Sequence, residues 1–172
     1  MSQLKVDSII PRGGLPSGSQ GGIIQIQHTL FKTHTSFSTV SSMTDIGLSC
    51  TITPQSASNH ILCHFGVRIC CAGAARYGFN LVRGSTTLDT GNTDNSVVFG
   101  SLIDGTQNGD RSAAYPNAFY LDTGISTTSA TTYKVQTIVS NNFTINFRSG
   151  STGGCSFMTL MAVWSWLGNT CI

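Results

Sequence analysis

Histidine is the residue type of this chain best suited to binding a metal ion. The four histidines are His28, His34, His60 and His64. His60 and His64 share one side of a predicted strand, but four residues of extended chain separate them by about 13 Å, too far to hold one ion. His28 lies on an apolar strand face, where a packed histidine is the expected outcome. We therefore predict no metal site and no cofactor.

Cysteine is the second candidate for special chemistry, with six residues at positions 50, 63, 70, 71, 155 and 171. Cys70 and Cys71 are adjacent and lack both the two-residue spacer and the second ligand pair of a zinc knuckle. Cys50 and Cys63 face each other if Ile52 pairs with Ile61, although buried free cysteine packs as a small apolar residue and needs no partner. No apolar segment follows Met1 to act as a secretory signal. The sequence therefore does not favour a disulfide framework, and the bridge between Cys50 and Cys63 stays an open question.

Carboxylates are the third candidate for chemistry, and the pattern does not favour catalysis. All seven acidic residues are Asp. Glycoside cleavage needs two carboxyl groups at a set separation, and the candidates, Asp89, Asp94, Asp104 and Asp110, stand beside turn-forming residues. The nucleophile elbow Gly-x-Ser-x-Gly does not occur. We predict no catalytic residue and no enzyme, and a polysaccharide depolymerase ranks behind a binding function.

Charge is unusually sparse along the chain. Only 9% of residues are charged, against roughly 25% in ordinary soluble proteins, and the net charge is +2. Lys and Arg are scattered singly, so nothing favours nucleic-acid binding. The longest apolar run, residues 157–164, is far short of the roughly 20 residues that a membrane span needs, so we expect no membrane insertion. Low charge with 40% apolar residues indicates that some apolar area is hidden between subunits.

Strict alternation of apolar and polar residues organises the fold. Residues 48–53 and 61–69 alternate with period two and predict a β-hairpin, followed by a third strand that ends near Gly84. The pair Asn141 and Asn142 predicts a tight hairpin turn. Further strands are predicted at residues 23–30, 97–103, 118–121, 133–139, 143–147 and 157–164. About nine short strands, and no Glu to favour helix, predict an all-β antiparallel sandwich or jelly roll.

Composition divides the chain into an arm, residues 1–22, and a body, residues 23–172. Two clusters of Pro and Gly interrupt the arm, whose apolar residues predict docking on a partner: Leu4, Val6, Ile9 and Ile10. The last strand has few polar positions, so both of its faces should be covered. One face belongs to the core, and we expect the other to meet a neighbouring subunit through Met158, Leu160, Ala162 and Trp164.

Five segments in order, at residues 4–9, 52–58, 81–86, 127–136 and 158–161, resemble fibre and tail-fibre-like proteins of marine tailed bacteriophages. The resemblance covers residues from about 3 to 163 and leaves the tail at 165–172 without a counterpart. It implies a homotrimeric virion protein, made in the host cytoplasm, with an N-terminal segment that attaches to other virion proteins. It also implies a jelly-roll knob similar to tumour-necrosis-factor-like trimers.

Two functions agree with these features. In the first, the trimer binds a host cell-surface glycan or protein through distal loops that offer Asp104, Gln107, Asn108, Asp110, Arg111 and Tyr115. In the second, it is a capsid decoration or tail adaptor trimer with a stabilising role only. Arg76 and Tyr77 follow a run of small residues and form either a contact patch or a loop with an aromatic plug.

Overall fold

The computed structural model describes residues 22–71, 75–88, 99–103, 112–149 and 152–164. Every regular element in these ranges is a β-strand, and every strand pair is antiparallel, so the prediction of an all-β fold is confirmed. The strands are β1 (Ile23–Phe31), β2 (Thr35–Phe37), β3 (Val40–Ile52), β4 (His60–Gly66), β5 (Ile69–Cys71), β6 (Ala75–Arg83), β7 (Thr86–Leu88), β8 (Phe99–Ile103), β9 (Ser112–Ala114), β10 (Asn117–Asp122), β11 (Thr131–Val139), β12 (Phe143–Ile145), β13 (Arg148–Ser149), β14 (Thr152–Gly153) and β15 (Ser156–Val163).

Two of the sheets form a sandwich. The front sheet has the strand order β1-β15-β4-β10, and the back sheet has the order β3-β11-β6-β7, with β8 also paired to β6. A smaller end sheet, β2-β12-β5-β9, lies beside them, and β13 pairs with β14. One continuous core cluster joins the inner faces of the front and back sheets.

The core follows from period-two alternation in the longer strands. In β11, Tyr133, Val135, Thr137 and Val139 are buried while the residues between them are partly exposed. The same alternation runs through the second half of β3 and the whole of β15. Since successive side chains of a strand point to opposite faces, each of these strands presents one apolar row to the core.

The predicted hairpin at residues 48–69 is wrong. β3 lies in the back sheet and pairs with β11, which places Cys50 opposite Tyr133. β4 lies in the front sheet between β15 and β10, which places Cys63 opposite Leu160 and Tyr120. Alternation is the same for a hairpin as for two strands that face each other across a sandwich, and residues 53–59 are long enough to cross the gap of about 10 Å between sheets. Cys50 and Cys63 are free thiols in the core, and burial raises the pKa of Cys63.

The predicted turn at Asn141 and Asn142 is a corner between sheets rather than a hairpin. β11 before it belongs to the back sheet, whereas β12 after it pairs with β2 and β5 in the end sheet. The Asn142 N–H donates to Asn141 Oδ1 at 2.8 Å, so the side chain stabilises the bend locally.

The sandwich has two different ends. At the arm end, Ile23 begins β1 and lies beside Val163, which lies beside His60. At the far end, Leu30 lies beside Phe157, which lies beside Gly66, and the end sheet begins there. Nine residues of β1 separate the two ends by about 26 Å. Residues 1–21, which include the predicted attachment residues, lie outside the described part of the chain.

A buried carboxylate joins the two sheets at the arm end. Asp122 of β10 is 2% exposed, and Arg83 of β6 donates from Nη1 to both of its oxygens at 2.7 Å. Tyr133 of β11 donates from its hydroxyl to Oδ2 at 2.7 Å, and the Gly124 N–H donates to Oδ1 at 2.9 Å. Burial and the bond to Asp122 raise the pKa of Tyr133. The front sheet is thereby linked to two strands of the back sheet.

Removing this carboxylate should cost far more stability than removing an exposed one. We expect Asp122→Ala to lower the free energy of unfolding by about 3–5 kcal/mol, because it leaves Arg83 and Tyr133 without their acceptor. The control is Asp45→Ala, which breaks the exposed pair with Lys134 and should cost at most about 1 kcal/mol. Urea unfolding followed by tryptophan fluorescence measures both values. Equal losses in the two variants would contradict a special role for Asp122.

Candidate interaction surfaces

The outward face of the front sheet is apolar from one edge to the other. In one row across the four strands, Ile26 lies beside Met161, then Leu62, then Leu121. Ile26 is 55% exposed and Leu121 is 47% exposed. We call this surface the outer face, and it consists of Ile26, His28, Leu30, Leu62, His64, Phe119, Leu121, Phe157, Thr159 and Met161. None of these ten residues is Lys, Arg, Asp or Glu.

The outer face is large for a surface left in contact with water. Four strands about 4.8 Å apart and about seven residues long give a face of roughly 19 Å by 24 Å, or about 450 Å² in projection. The largest apolar patch on a single chain is typically about 300–600 Å², and it is often functional. The outer face is therefore a candidate interface with another molecule.

Histidine packs as an aromatic residue at the centre of the outer face. The His64 ring stacks on Phe119 with ring centroids 3.9 Å apart, and it meets Phe157 edge-on with centroids 4.9 Å apart. On the neighbouring strands, His28 Nδ1 lies 2.8 Å from Thr159 Oγ1. Burial lowers the pKa of His64, which favours the neutral imidazole at neutral pH. The outer face is thus uncharged at this position.

The predicted subunit contacts on the last strand need correction. Met158, Leu160 and Ala162 are each 0% exposed and pack in the core of the chain itself, so they are not available to a neighbouring subunit. The outward residues of β15 have the opposite parity: Phe157, Thr159, Met161 and Val163. A strand with few polar residues does not show from its sequence which alternate residues face the core. The sequence-based prediction therefore selected the wrong row. Trp164 is 55% exposed and stays a candidate.

The predicted receptor-binding segment is described only at its edges. Asp104, Gln107, Asn108, Asp110 and Arg111 lie outside the described residues, as do the four attachment residues of the arm: Leu4, Val6, Ile9 and Ile10. The flanking strands are described: Ile103 pairs with Ala75, and Ser112 pairs with Cys71. Both flanks therefore lie at the far end of the sandwich. Tyr115, the described candidate, is 45% exposed there.

Tyr115 lines a cleft of about 420 Å³ at the far end, together with Arg68, Ala113, Ala114, Gly154 and Cys155. The Tyr115 hydroxyl donates to the carbonyl oxygen of Cys155 at 3.2 Å, and burial raises the pKa of Tyr115. Arg68 Nε is buried and has no hydrogen-bond acceptor among the described residues. We call this the Arg68 cleft. Sequence reasoning missed Arg68, because a single Arg between two strands carries no motif.

A second cleft, of about 500 Å³, opens beside the back sheet at the same end. Its lining is Thr39, Val40, Ser41, Arg76, Tyr77, Gly78, Ile138, Val139 and Ser140. The Arg76 N–H donates to Ser140 Oγ at 2.9 Å while its side chain is exposed, and Tyr77 is only 9% exposed. The Tyr77 side chain therefore faces the core, and the Arg76 side chain faces solvent.

The described residues offer little for metal or acid–base chemistry. No group of three His, Cys or Asp among them could hold a metal ion. The two described carboxylates, Asp45 and Asp122, are each paired with a cation, Lys134 and Arg83. Asp89, Asp94, Asp104 and Asp110 lie outside the described residues. In the described part of the chain there is also no helix with the length and apolarity to cross a membrane.

Comparison with known proteins adds no assignment. Neither a protein-family model nor a curated protein matches the chain. The class that the described structure defines is an all-β sandwich, and its function has to be argued from its surfaces.

The partly buried position of His64 makes stability depend on pH. Because its pKa in the folded chain is below the ordinary value of 6.5, the unfolded chain binds more protons, and stability is lost as pH falls through the folded pKa. We expect the free energy of unfolding to decrease between pH 7.5 and 5.5, and His64→Gln to weaken that decrease. The matched control, His34→Gln, makes the same substitution at a histidine outside the outer face. Equal slopes in all three proteins, measured by urea unfolding, would refute the assignment.

Proposed function

We propose that this chain is the subunit of a homotrimeric virion protein that attaches to the particle at its arm end and binds a host surface receptor at its far end. The observation that carries this proposal is the opposition of the two ends. Residues 1–22 join the sandwich at Ile23, whereas the Arg68 cleft, Tyr115 and both flanks of the segment 104–111 lie at the other end of β1. An attachment segment and a receptor surface need this separation.

The strand order supports a jelly-roll fold. Along the chain β1, β3, β4 and β6 alternate between front and back sheets, and β10, β11 and β15 alternate again. The first strand, β1, and the last, β15, are neighbours in the front sheet. Alternation between two packed sheets, with the first and last strands adjacent in one of them, is the connectivity of a jelly roll. This agrees with the fold that the resemblance to phage fibre proteins implies.

The outer face supports assembly from identical copies. Its most exposed apolar residues form two different groups on opposite edges, Ile26 and Leu30 on β1, and Phe119 and Leu121 on β10. Contacts between two different patches of the same chain generate a ring when the rotation between copies closes, and an open filament when it does not. A face without charged residues is also best covered by another such face, because no buried ion is left unpaired. Three copies arranged in this way give the trimer.

A charge on the outer face should therefore dissociate the trimer. We expect Leu121→Asp to give a monomer of normal fold, because Leu121 is 47% exposed in the single chain but would be desolvated between subunits. The control is Ser49→Asp on the exposed side of β3, which should stay trimeric. Light scattering coupled to gel filtration gives the mass, and circular dichroism checks the fold. A parent protein that is monomeric at micromolar concentration overturns the trimer.

The virion role is tested on particles. Antibodies raised against the purified chain should label virus particles in electron micrographs, and the purified trimer should compete with those particles for adsorption to host cells. Labelling with competition supports the receptor-binding function. Labelling without competition overturns it in favour of a decoration or adaptor protein with a stabilising role. Absence of labelling overturns both, and release of sugar from host envelopes by the purified protein would indicate a depolymerase instead.

A further inference from the structure

We propose that the Arg68 cleft binds the carboxylate of an acidic saccharide. This inference rests on the proposed function and deepens it, because it names the chemical class of the receptor group and the residue that recognises it. It is carried by a guanidinium that packs against Gly154 and whose charge has no counter-charge among the described residues. The remaining lining of the cleft suits the ring of a sugar.

Arg68 is held in place by its own backbone and by its neighbours. Its N–H donates to Ser156 Oγ at 3.0 Å, and its carbonyl oxygen accepts from the Asn146 N–H at 2.9 Å. Ser156 and Asn146 are each 0% exposed and bond to each other at 2.8 Å. A Cβ added at Gly154 would overlap the Arg68 side chain, so the glycine backbone lies directly against it. The Arg68 backbone is fixed by these bonds, and its side chain packs against the Gly154 backbone, which limits the conformational freedom that it loses when it binds a ligand.

The charge of Arg68 lacks compensation. Its Nε is buried without an acceptor, and no ion pair involves Arg68 within the described ranges. Asp45 and Asp122, the described carboxylates, are engaged by Lys134 and Arg83. A partly buried donor without an acceptor costs free energy. A ligand carboxylate at the outer nitrogens would offset the charge and make paired N–H···O bonds with the planar group.

The lining selects the rest of the ligand. A volume of about 420 Å³ lies in the range of small-ligand sites and accommodates a sugar unit. Ala113 and Ala114 give a short apolar wall, and the half-exposed ring of Tyr115 offers a surface for stacking. Arg68 is the single cationic residue among the described lining residues, so a carboxylate with one charge suits the cleft better than a phosphate monoester with up to two.

The test titrates the full-length protein with D-glucuronate, with D-glucose and inorganic phosphate as comparisons, and follows the amide signals of Ala113, Ala114 and Tyr115 by NMR. We expect saturable shifts of these signals with glucuronate. The affinity for glucose and the affinity for phosphate should each be at least about tenfold weaker than the affinity for glucuronate. Arg68→Gln should lose about tenfold in affinity for glucuronate, and Tyr115→Ala, at an exposed position, should weaken it with the fold intact. The matched control, Arg76→Gln, removes the same charge from the second cleft and should bind as the parent does.

Several outcomes would overturn the proposal. Equal binding of glucose would show stacking without charge recognition, and equal binding of phosphate would show a general anion site. Loss of glucuronate binding in Arg76→Gln but not in Arg68→Gln or Tyr115→Ala would place the site in the other cleft. Each of these results leaves particle labelling and competition for adsorption unaffected, so failure of the ligand class is distinguishable from failure of the receptor-binding function.

Discussion

A sheet that is apolar on both faces has to be covered twice, and the rest of this molecule follows from that constraint. The back sheet covers the inner face of the front sheet and buries Met158, Leu160 and Ala162 completely. The outer face, with Ile26 and Leu121 about half exposed, has no cover within the described chain. Burial of apolar area is the dominant favourable term in folding and association. Folding therefore buries one apolar face of the front sheet and leaves the other exposed within the described chain.

The back sheet shows the contrasting solution. Its outward side carries polar residues, where Asp45 accepts from Lys134 Nζ at 2.8 Å and from Gln136 Nε2 at 2.6 Å. The bond from Lys134 is the main cause of the lowered pKa of Asp45, and at this exposure the pair adds little stability. Exposed polar networks of this kind suit a surface that stays in water. The two sheets thus differ in their outward faces, which are apolar on the front sheet and polar on the back sheet.

Buried polar groups stabilise both ends of the sandwich. Asp122, with Arg83 and Tyr133, joins the sheets at the arm end. Asn146, in a left-handed conformation with φ of 53°, donates from Nδ2 to the carbonyl oxygens of Phe31 and Thr33 and holds the far end, close to Arg68. Buried polar groups are stabilising only when their bonds are satisfied. The arm end is where β1 begins at Ile23, and the far end carries Arg68 beside a cleft.

The sequence by itself determined the all-β class and most of the strands. Alternation in residues 133–139 and scarcity of charge were sufficient, since period two and composition are local properties of the chain. Only the tertiary structure decided which strands pair, because alternation around Cys50 and Cys63 is the same in a hairpin and across a sandwich. The tertiary structure also decided which row of β15 faces outward. When both rows of a strand are apolar, the sequence does not indicate which row is buried. The lack of a counter-charge for Arg68 among the described residues is likewise a property of the folded chain, because it depends on which groups fold against that side chain.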